Sequence, residues 1–357
     1  MSENTKTPRI RFKGFTDAWE QRKLREVFDY ERPDTYIVKS DKYSDTYSTP
    51  VLTANKGFIL GYTNEMQVCN KECIIFDDFT LDSKYVTFPF MVKSSALKIL
   101  TAKIGYFLPF AYQLLQATNI EILGHARHYI SVVQPTKVLI PSNDEQIRIG
   151  KCIQQIDNLI TLHQCEYFLC SYKYVYLHLQ QSISKKTNSW EQRKLGGEAE
   201  ELLAGGDIDK DLICESGRYP VIANALTNDG IVGFYEKYYR VEAPAVTVTG
   251  RGDVGHAQAR RVNFTPVVRL LSIKSRHNVD FLENAINRGE VIIESTGVPQ
   301  LTVPQLSKRT ISFPQTVQEE EKIGKLFFKI DNLITLHQRK VEKLKNIKSA
   351  LLEKMFV

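Results

Sequence analysis

Ile156-Asp157-Asn158-Leu159-Ile160-Thr161-Leu162-His163-Gln164 recurs letter for letter as Ile330-Asp331-Asn332-Leu333-Ile334-Thr335-Leu336-His337-Gln338. Trp19-Glu20-Gln21-Arg22-Lys23-Leu24 likewise returns unchanged as Trp190-Glu191-Gln192-Arg193-Lys194-Leu195. The two offsets, 174 and 171, are nearly equal, and weaker echoes keep them: Leu139-Ile140-Pro141 against Ser312-Phe313-Pro314, and Ile149-Gly150-Lys151 against Ile323-Gly324-Lys325. A repeat of this period decides the architecture before any single residue does. The chain is two tandem halves, a duplicated frame whose intervening stretches differ almost completely in sequence.

The frame contains two long helices with one apolar stripe each. Ile323, Ile330, His337 and Leu344 are spaced by seven, with Phe327, Ile334 and Val341 four residues after the first three. The first copy repeats the register with Ile149, Ile156 and His163, joined by Ile153 and Ile160. That spacing is the seam of a two-helix coiled coil. Pro141-Ser142-Asn143-Asp144-Glu145 and Pro314-Gln315-Thr316 are entry signals, a proline ahead of a polar or acidic first turn. Helices of about 40 residues run roughly 60 Å, a length suited to a spacer.

The inserts read as mixed α/β. Strands are expected at Cys73–Phe79, Tyr85–Met91, Tyr219–Ile222, Ile231–Tyr235 and Ala243–Thr249, and helices at Ile104–Thr118 and Val279–Arg288. Gly57, Gly61, Gly230 and Gly233 mark comparable early turns, with Asn55 and Asn224 beside them.

Composition bounds the function. With 357 residues, 43% hydrophobic and 25% charged, the chain is ordinary globular protein of two or three domains. Its 47 basic against 41 acidic side chains, net +6, permit a polyanionic partner without demanding one. No apolar run reaches the roughly 18–20 residues of a membrane span. The opening Met1-Ser2-Glu3-Asn4-Thr5-Lys6 lacks a signal's apolar stretch. The six cysteines form no CxxC pair and read as reduced thiols of a cytoplasmic protein.

Chemistry is scarce. Gly250-Arg251-Gly252-Asp253-Val254-Gly255 matches the dinucleotide fingerprint formally, but no apolar helical stripe follows it before Pro266. It reads as a tight glycine-rich turn displaying Arg251. There is no GxxxxGK[ST], no acid-plus-Glu-x-Lys nuclease pattern after Asp77-Asp78, and no second ligand pair beside His125-x-x-His128. His163 and His337 occupy equivalent seam positions, best read as packed and partnered histidines.

Charge distribution is more informative. Residues 251–276 hold six basic groups, Arg251, Arg260, Arg261, Arg269, Lys274 and Arg276, against one acid. Residues 82–103 hold Lys84, Lys93, Lys98 and Lys103 against Asp82. Basic groups neutralise phosphates, and Arg also reads guanine edges. Two unlike heads held apart by paired helices suit a target with two unlike half-sites, as duplex DNA offers about one helical turn apart. A coiled-coil adaptor that binds protein and reads no DNA is the alternative.

The two Trp-Glu-Gln-Arg-Lys-Leu copies, the Ile-Gly-Lys…Ile-Asp-Asn-Leu-Ile-Thr-Leu-His-Gln helices and the closing Lys348-Ser-Ala-Leu-Leu-Glu-Lys-Met-Phe356 resemble type I restriction–modification specificity subunits, the S or HsdS family. The resemblance covers the whole chain. It implies a mixed α/β fold with two target-recognition domains, residues 1–145 and 187–316. Two conserved helices, 146–186 and 317–357, would pair as an antiparallel coiled coil with pseudo-two-fold symmetry. It implies a non-catalytic chain that binds a bipartite double-stranded DNA site and docks two methyltransferase subunits, and through them motor–nuclease subunits. S-adenosylmethionine, ATP and Mg would belong to those partners, with no cofactor or metal in this chain. Base contacts do not carry over residue by residue in such a family. The DNA-binding expectation therefore rests on charge and position: Lys84, Lys93, Arg127, His128, Arg251, Arg260, Arg261 and Arg276.

Overall fold

The computed structural model describes residues 7–55, 57–120, 128–184, 190–289 and 299–356, with the backbone alone over 172–184. It divides into two units, residues 1–164 with 339–357, and residues 165–338. The division passes through both long helices, Asn143–Ser184 and Val317–Met355.

The two halves repeat one topology despite their dissimilar sequences. In the first unit a four-stranded antiparallel sheet runs in the order Phe28–Glu31, Leu97–Ala102, Cys73–Asp77, Ser83–Val86. In the second the order is Ala199–Ala204, Leu270–Ser275, Ala245–Thr249, Ala257–Arg260. Each unit adds a three-stranded sheet with one antiparallel and one parallel pairing. Ile59–Thr63, Thr49–Leu52 and Met91–Val92 form the first, and Ile231–Tyr235, Tyr219–Ile222 and Thr265–Pro266 the second. A ten-residue helix then packs on each large sheet, Leu108–Ala117 or Val279–Arg288.

The expected strand through Tyr85–Met91 is broken, because Ser83–Val86 and Met91–Val92 pair with different sheets. Pro89, which has no N–H for a ladder, stands between them. The expected helix from Ile104 begins only at Leu108, with Pro109 in its first turn.

The repeated hexapeptide acts as a brace. Glu20–Lys23 pairs antiparallel with Lys137–Ile140, the strand leading into the first long helix, and Glu191–Lys194 pairs with Thr310–Phe313 ahead of the second. Each tryptophan then reaches that helix's first turn. Trp19 Nε1 donates to Glu145 Oε2 at 3.2 Å, and Trp190 Nε1 donates to Glu319 Oε1 at 3.2 Å. The next residue ties down the small domain helix: Phe107 N donates to Gln146 Oε1 at 3.1 Å, and Asn278 N donates to Glu320 Oε1.

The glycine of each Ile-Gly-Lys exists for this close approach. A Cβ on Gly150 would stand 2.8 Å from the Phe107 ring and the Phe110 nitrogen, and one on Gly324 would stand 2.1 Å from Asn278 Oδ1.

The seam residues follow the seven-residue register. In the first unit Ile149, Ile153 and Ile160 are buried, while Ile156, His163, Val341 and Leu344 are half-buried. Lys348 Nζ meets Asp157 Oδ1 at 2.7 Å. Ile149 and Ile153 share their core with Met355, so the two helix segments run antiparallel. In the second unit Phe327, Ile330 and His337 are buried and Ile323 and Ile334 half-buried, with His337 Nδ1 3.1 Å from Glu166.

Candidate nucleic-acid interface

Each four-stranded sheet ends in turns that the frame holds in place, and these turns differ between the units. In the first, Asp77 caps the turn after its strand: Oδ1 accepts from Phe79 N at 3.0 Å and Oδ2 from the Thr80 hydroxyl at 2.6 Å. Behind it, Lys98 is buried 3.5 Å from Asp78 Oδ2, and Asp78 Oδ1 accepts from Tyr129 N at 2.8 Å. Lys84 follows on the strand Ser83–Val86, its ammonium 5.5 Å from the centre of the Phe58 ring. Thr53, Asn55, Phe58, Asp82 and Lys84 contribute to the lining of a cleft of about 210 Å³.

In the second unit the glycine-rich segment forms a stapled turn, with no helix after Gly255: Ala257–Arg260 is a strand. Asn224 Oδ1 accepts from Gly250 N at 2.7 Å and from Arg251 N at 3.3 Å, while Asn224 Nδ2 donates to Arg251 O at 2.6 Å. Thr249 Oγ1 accepts from His256 N at 2.9 Å and donates to the Asp253 carbonyl. Gly252 and Gly255, with φ of 77° and 89°, supply the left-handed corners.

The expected DNA-binding side chains are distributed unevenly. Lys84 is exposed on the strand that follows the first turn, Arg251 is half-buried in the second turn, and Arg276 is largely exposed 3.6 Å from Glu198. Lys93 pairs with Asp41. Arg260 is 9% exposed; its Nε donates to Thr247 Oγ1 and its Nη1 to Asp229 O, both at 2.9 Å. Burial brings the Arg260 guanidinium down to about 10. Arg261 pairs with Asp280 and lies 4.4 Å from the centre of the Phe328 ring, which fastens its strand to the long helix. His128 is 1% exposed, its backbone N donating to Asp78 O at 3.0 Å. Arg127 lies outside the described residues. Two residues absent from the sequence-level list join the second turn, Asn224 and Arg269. The sequence signals for them were an Asn beside a turn glycine and a place in the basic cluster.

The second unit's frame carries a titrating clasp. His277 Nδ1 is 2.8 Å from Glu320 Oε2 and its Nε2 2.9 Å from Glu198 Oε2, with Arg193 and Arg276 also facing Glu198. Its bond to Glu320 raises the imidazole above its usual value against the opposing effect of burial, and the bond from His277 lowers Glu198. Burial beside Asp331 also pushes the Glu283 carboxyl up to about 7. A raised imidazole stabilises fully below the unfolded value of about 6.5 and loses that stabilisation as pH rises through its folded value. The raised Glu283 acts in the same direction between about 4.3 and 7, whereas Glu198 contributes only above about 4.3. Melting of residues 165–338 is therefore expected to fall as pH rises above about 6.5, by about 2–4 °C per kcal/mol lost. His277→Gln is expected to flatten the fall above pH 7. An unchanged slope in that variant, read by calorimetry, contradicts the assignment.

Two mixed α/β modules of one plan, each braced to the first turn of the long helix that follows it but ending in different turns, define a tandem duplicated scaffold. The chain belongs to the family of type I restriction–modification DNA specificity domains, whose model matches residues 16–167 and 173–346. It is 35% identical over 237 residues to the Escherichia coli type I restriction enzyme EcoR124I/EcoR124II specificity subunit, covering 62% of this chain and 58% of that one. It is 24% identical over 234 residues to a putative type I specificity subunit, S.MpnORF507P, of Mycoplasma pneumoniae, covering 63% and 64%. The chain thus spans about three-fifths of the length of these curated relatives. The crystal structure of the type I restriction–modification S subunit from M. genitalium shares the fold. Its TM-score is 0.78 at 14% identity, over 98% of this chain and 99% of that one. Among the described residues no helix is long and apolar enough to cross a membrane.

Proposed function

We propose that this chain is the DNA-sequence specificity subunit of a type I restriction–modification complex. Residues 1–145 and 187–316 are its target-recognition domains, each reading one half of a bipartite duplex site. The chain does no chemistry itself. Methyltransferase subunits supply S-adenosylmethionine chemistry at adenine, and motor–nuclease subunits supply ATP- and Mg-dependent translocation and cleavage, in the cytoplasm.

The observation that carries this reading is one topology presented twice with unlike turns, Asp78–Asp82 in one unit and Gly250–His256 in the other. A duplicated scaffold with divergent tips is what two different half-sites require. Of the basic candidates, Lys84 and Arg251 best suit contact with phosphate or base, whereas Arg276 follows the other end of its sheet strand, beside Glu198. His128 and Arg260 are buried, and Lys93 and Arg261 are paired with Asp41 and Asp280 at the surface.

Partner docking has its own support. Leu159 and Leu162 on one helix, and Leu333 and Leu336 on the other, are 44–51% exposed and lie off the seam. Apolar pairs kept in both copies yet turned to solvent suit two like partners, one on each helix. The adaptor alternative explains neither the matched sheets nor the divergent turns.

Single-molecule sequencing of methylated adenine, with and without this gene, tests the proposal. The expected result is an asymmetric bipartite motif, methylated in both halves, that vanishes on deletion. Unchanged methylation contradicts it.

A further inference from the structure

We infer that Arg251 and Arg269 form a guanine-reading pair in the second recognition domain, with Asn224 as the residue that positions Arg251. This rests on the DNA-binding reading above and names the base chemistry of one half-site.

The two arginines stand at the same end of one sheet. Thr249 ends its strand opposite Leu270, which begins the neighbouring one. Arg251 follows the first strand by two residues and Arg269 immediately precedes the second. Their backbones are stapled together: Gly250 N donates to Arg269 O at 2.9 Å, and Leu301 N donates to Gly250 O at 2.8 Å. A Cβ at Gly250 would stand 2.5 Å from the Arg269 carbonyl oxygen, so only glycine permits the approach. Arg251 is fixed from the other side by a ladder bridge to Gln300 and by the three hydrogen bonds of the Asn224 amide.

Arg269 has φ of 72°, in the left-handed region that a long side chain adopts only at a cost of about 1–3 kcal/mol. Glycine would fit that corner without strain. Keeping an arginine there, exposed, indicates a use for the side chain rather than for the turn. Among the described residues neither guanidinium has an acidic partner or an internal hydrogen bond, unlike Arg260 and Arg261 nearby. Two unpaired guanidinium groups carried on adjacent, rigidly held backbone segments suit the paired acceptors, O6 and N7, that guanine alone presents in the major groove. A merely attractive patch for phosphate needs neither the strain nor the clamp. In the first unit Asp78 follows the corresponding strand and Lys84 is the projecting cation, so the two domains would read different bases.

The test uses the full chain in its complex with methyltransferase subunits, on DNA carrying the motif found by methylation sequencing. Each guanine of one half-site is replaced by 7-deazaguanine, which lacks N7. Wild-type affinity is expected to drop about tenfold at one or two guanines. Arg251→Ala and Arg269→Ala are expected to lose as much on unmodified DNA and nothing further at their own guanine. Lysine at either position should keep the salt dependence and recover only part of the discrimination, because an ammonium lacks the planar fork. Asn224→Ala should abolish the Arg251 coupling while leaving that of Arg269, and Asn224→Asp, which keeps the acceptor, should restore part of it.

Uniform loss on every DNA, with the salt slope falling by about 0.9 per arginine and additive 7-deaza effects, overturns the inference in favour of phosphate contacts. So does a second half-site without guanine, which leaves the specificity-subunit reading intact. Absence of any motif that depends on this chain removes that broader reading instead.

Discussion

Truncation before Leu351 is expected to unfold the first unit while leaving the second folded. The last residues of the chain are core material for residues 7–164. Phe356 stacks on Phe110 at 5.5 Å and meets Trp19 edge-on at 6.3 Å, Met355 is buried, and Leu351 and Leu352 pack on the same cluster. Ile10 N also donates to Lys354 O at 3.0 Å, tying the two ends of the chain together. Burying a large apolar side chain contributes about 1.5–3 kcal/mol, so losing four removes a sum comparable to a domain's whole stability. Hydrogen exchange checks this. Protection should collapse in residues 7–164 and persist in residues 190–289. Retained protection around Trp19 and Phe110 would show that the tail is dispensable.

Glu145→Ala is expected to cost about 3–5 kcal/mol, the loss typical of breaking a buried ion pair on one side. Glu145 is fully buried at the start of the first long helix. It accepts two bonds from Arg11, at 2.8 and 2.7 Å, and one from Trp19 Nε1. Removing it strands a guanidinium and an indole N–H that have little access to water. Glu145→Gln keeps an acceptor and is expected to recover part of the loss. Urea melts of both variants measure it, and a cost below about 1 kcal/mol for the alanine variant would mean that the brace contributes little. The corresponding Trp190–Glu319 bond is exposed and, among the described residues, has no arginine behind it, so Glu319→Ala should cost far less.

Much of the frame was legible because it is periodic. The seven-residue register found both long helices and their seam, and the second insert's elements at Tyr219–Ile222, Ile231–Tyr235 and Val279–Arg288 match the structure residue for residue. What the sequence hid is that both inserts share a topology. A buried strand demands only apolar volume, which Cys73-Ile-Ile-Phe-Asp77 and Ala245-Val-Thr-Val-Thr249 supply with different letters. The purpose of the repeated hexapeptide was equally hidden, since its partners lie more than a hundred residues away. Charge could be located but not assigned. Arg261 and Lys93 find acids 19 and 52 residues distant, and no local pattern announces that those cations are engaged. The displayed Arg251 could be anticipated because glycines mark its turn, whereas the Asn224 clamp on it depends on a contact across the sheet end.

Methylation sequencing of a chimaera tests the central claim most directly. Residues 199–309 are replaced by the corresponding segment of another specificity subunit, with the helices and braces left untouched. If two independent modules read two half-sites, one half of the bipartite motif changes to the donor's and the other half stays. A motif altered in both halves, or in neither, would contradict the division of reading between the two units.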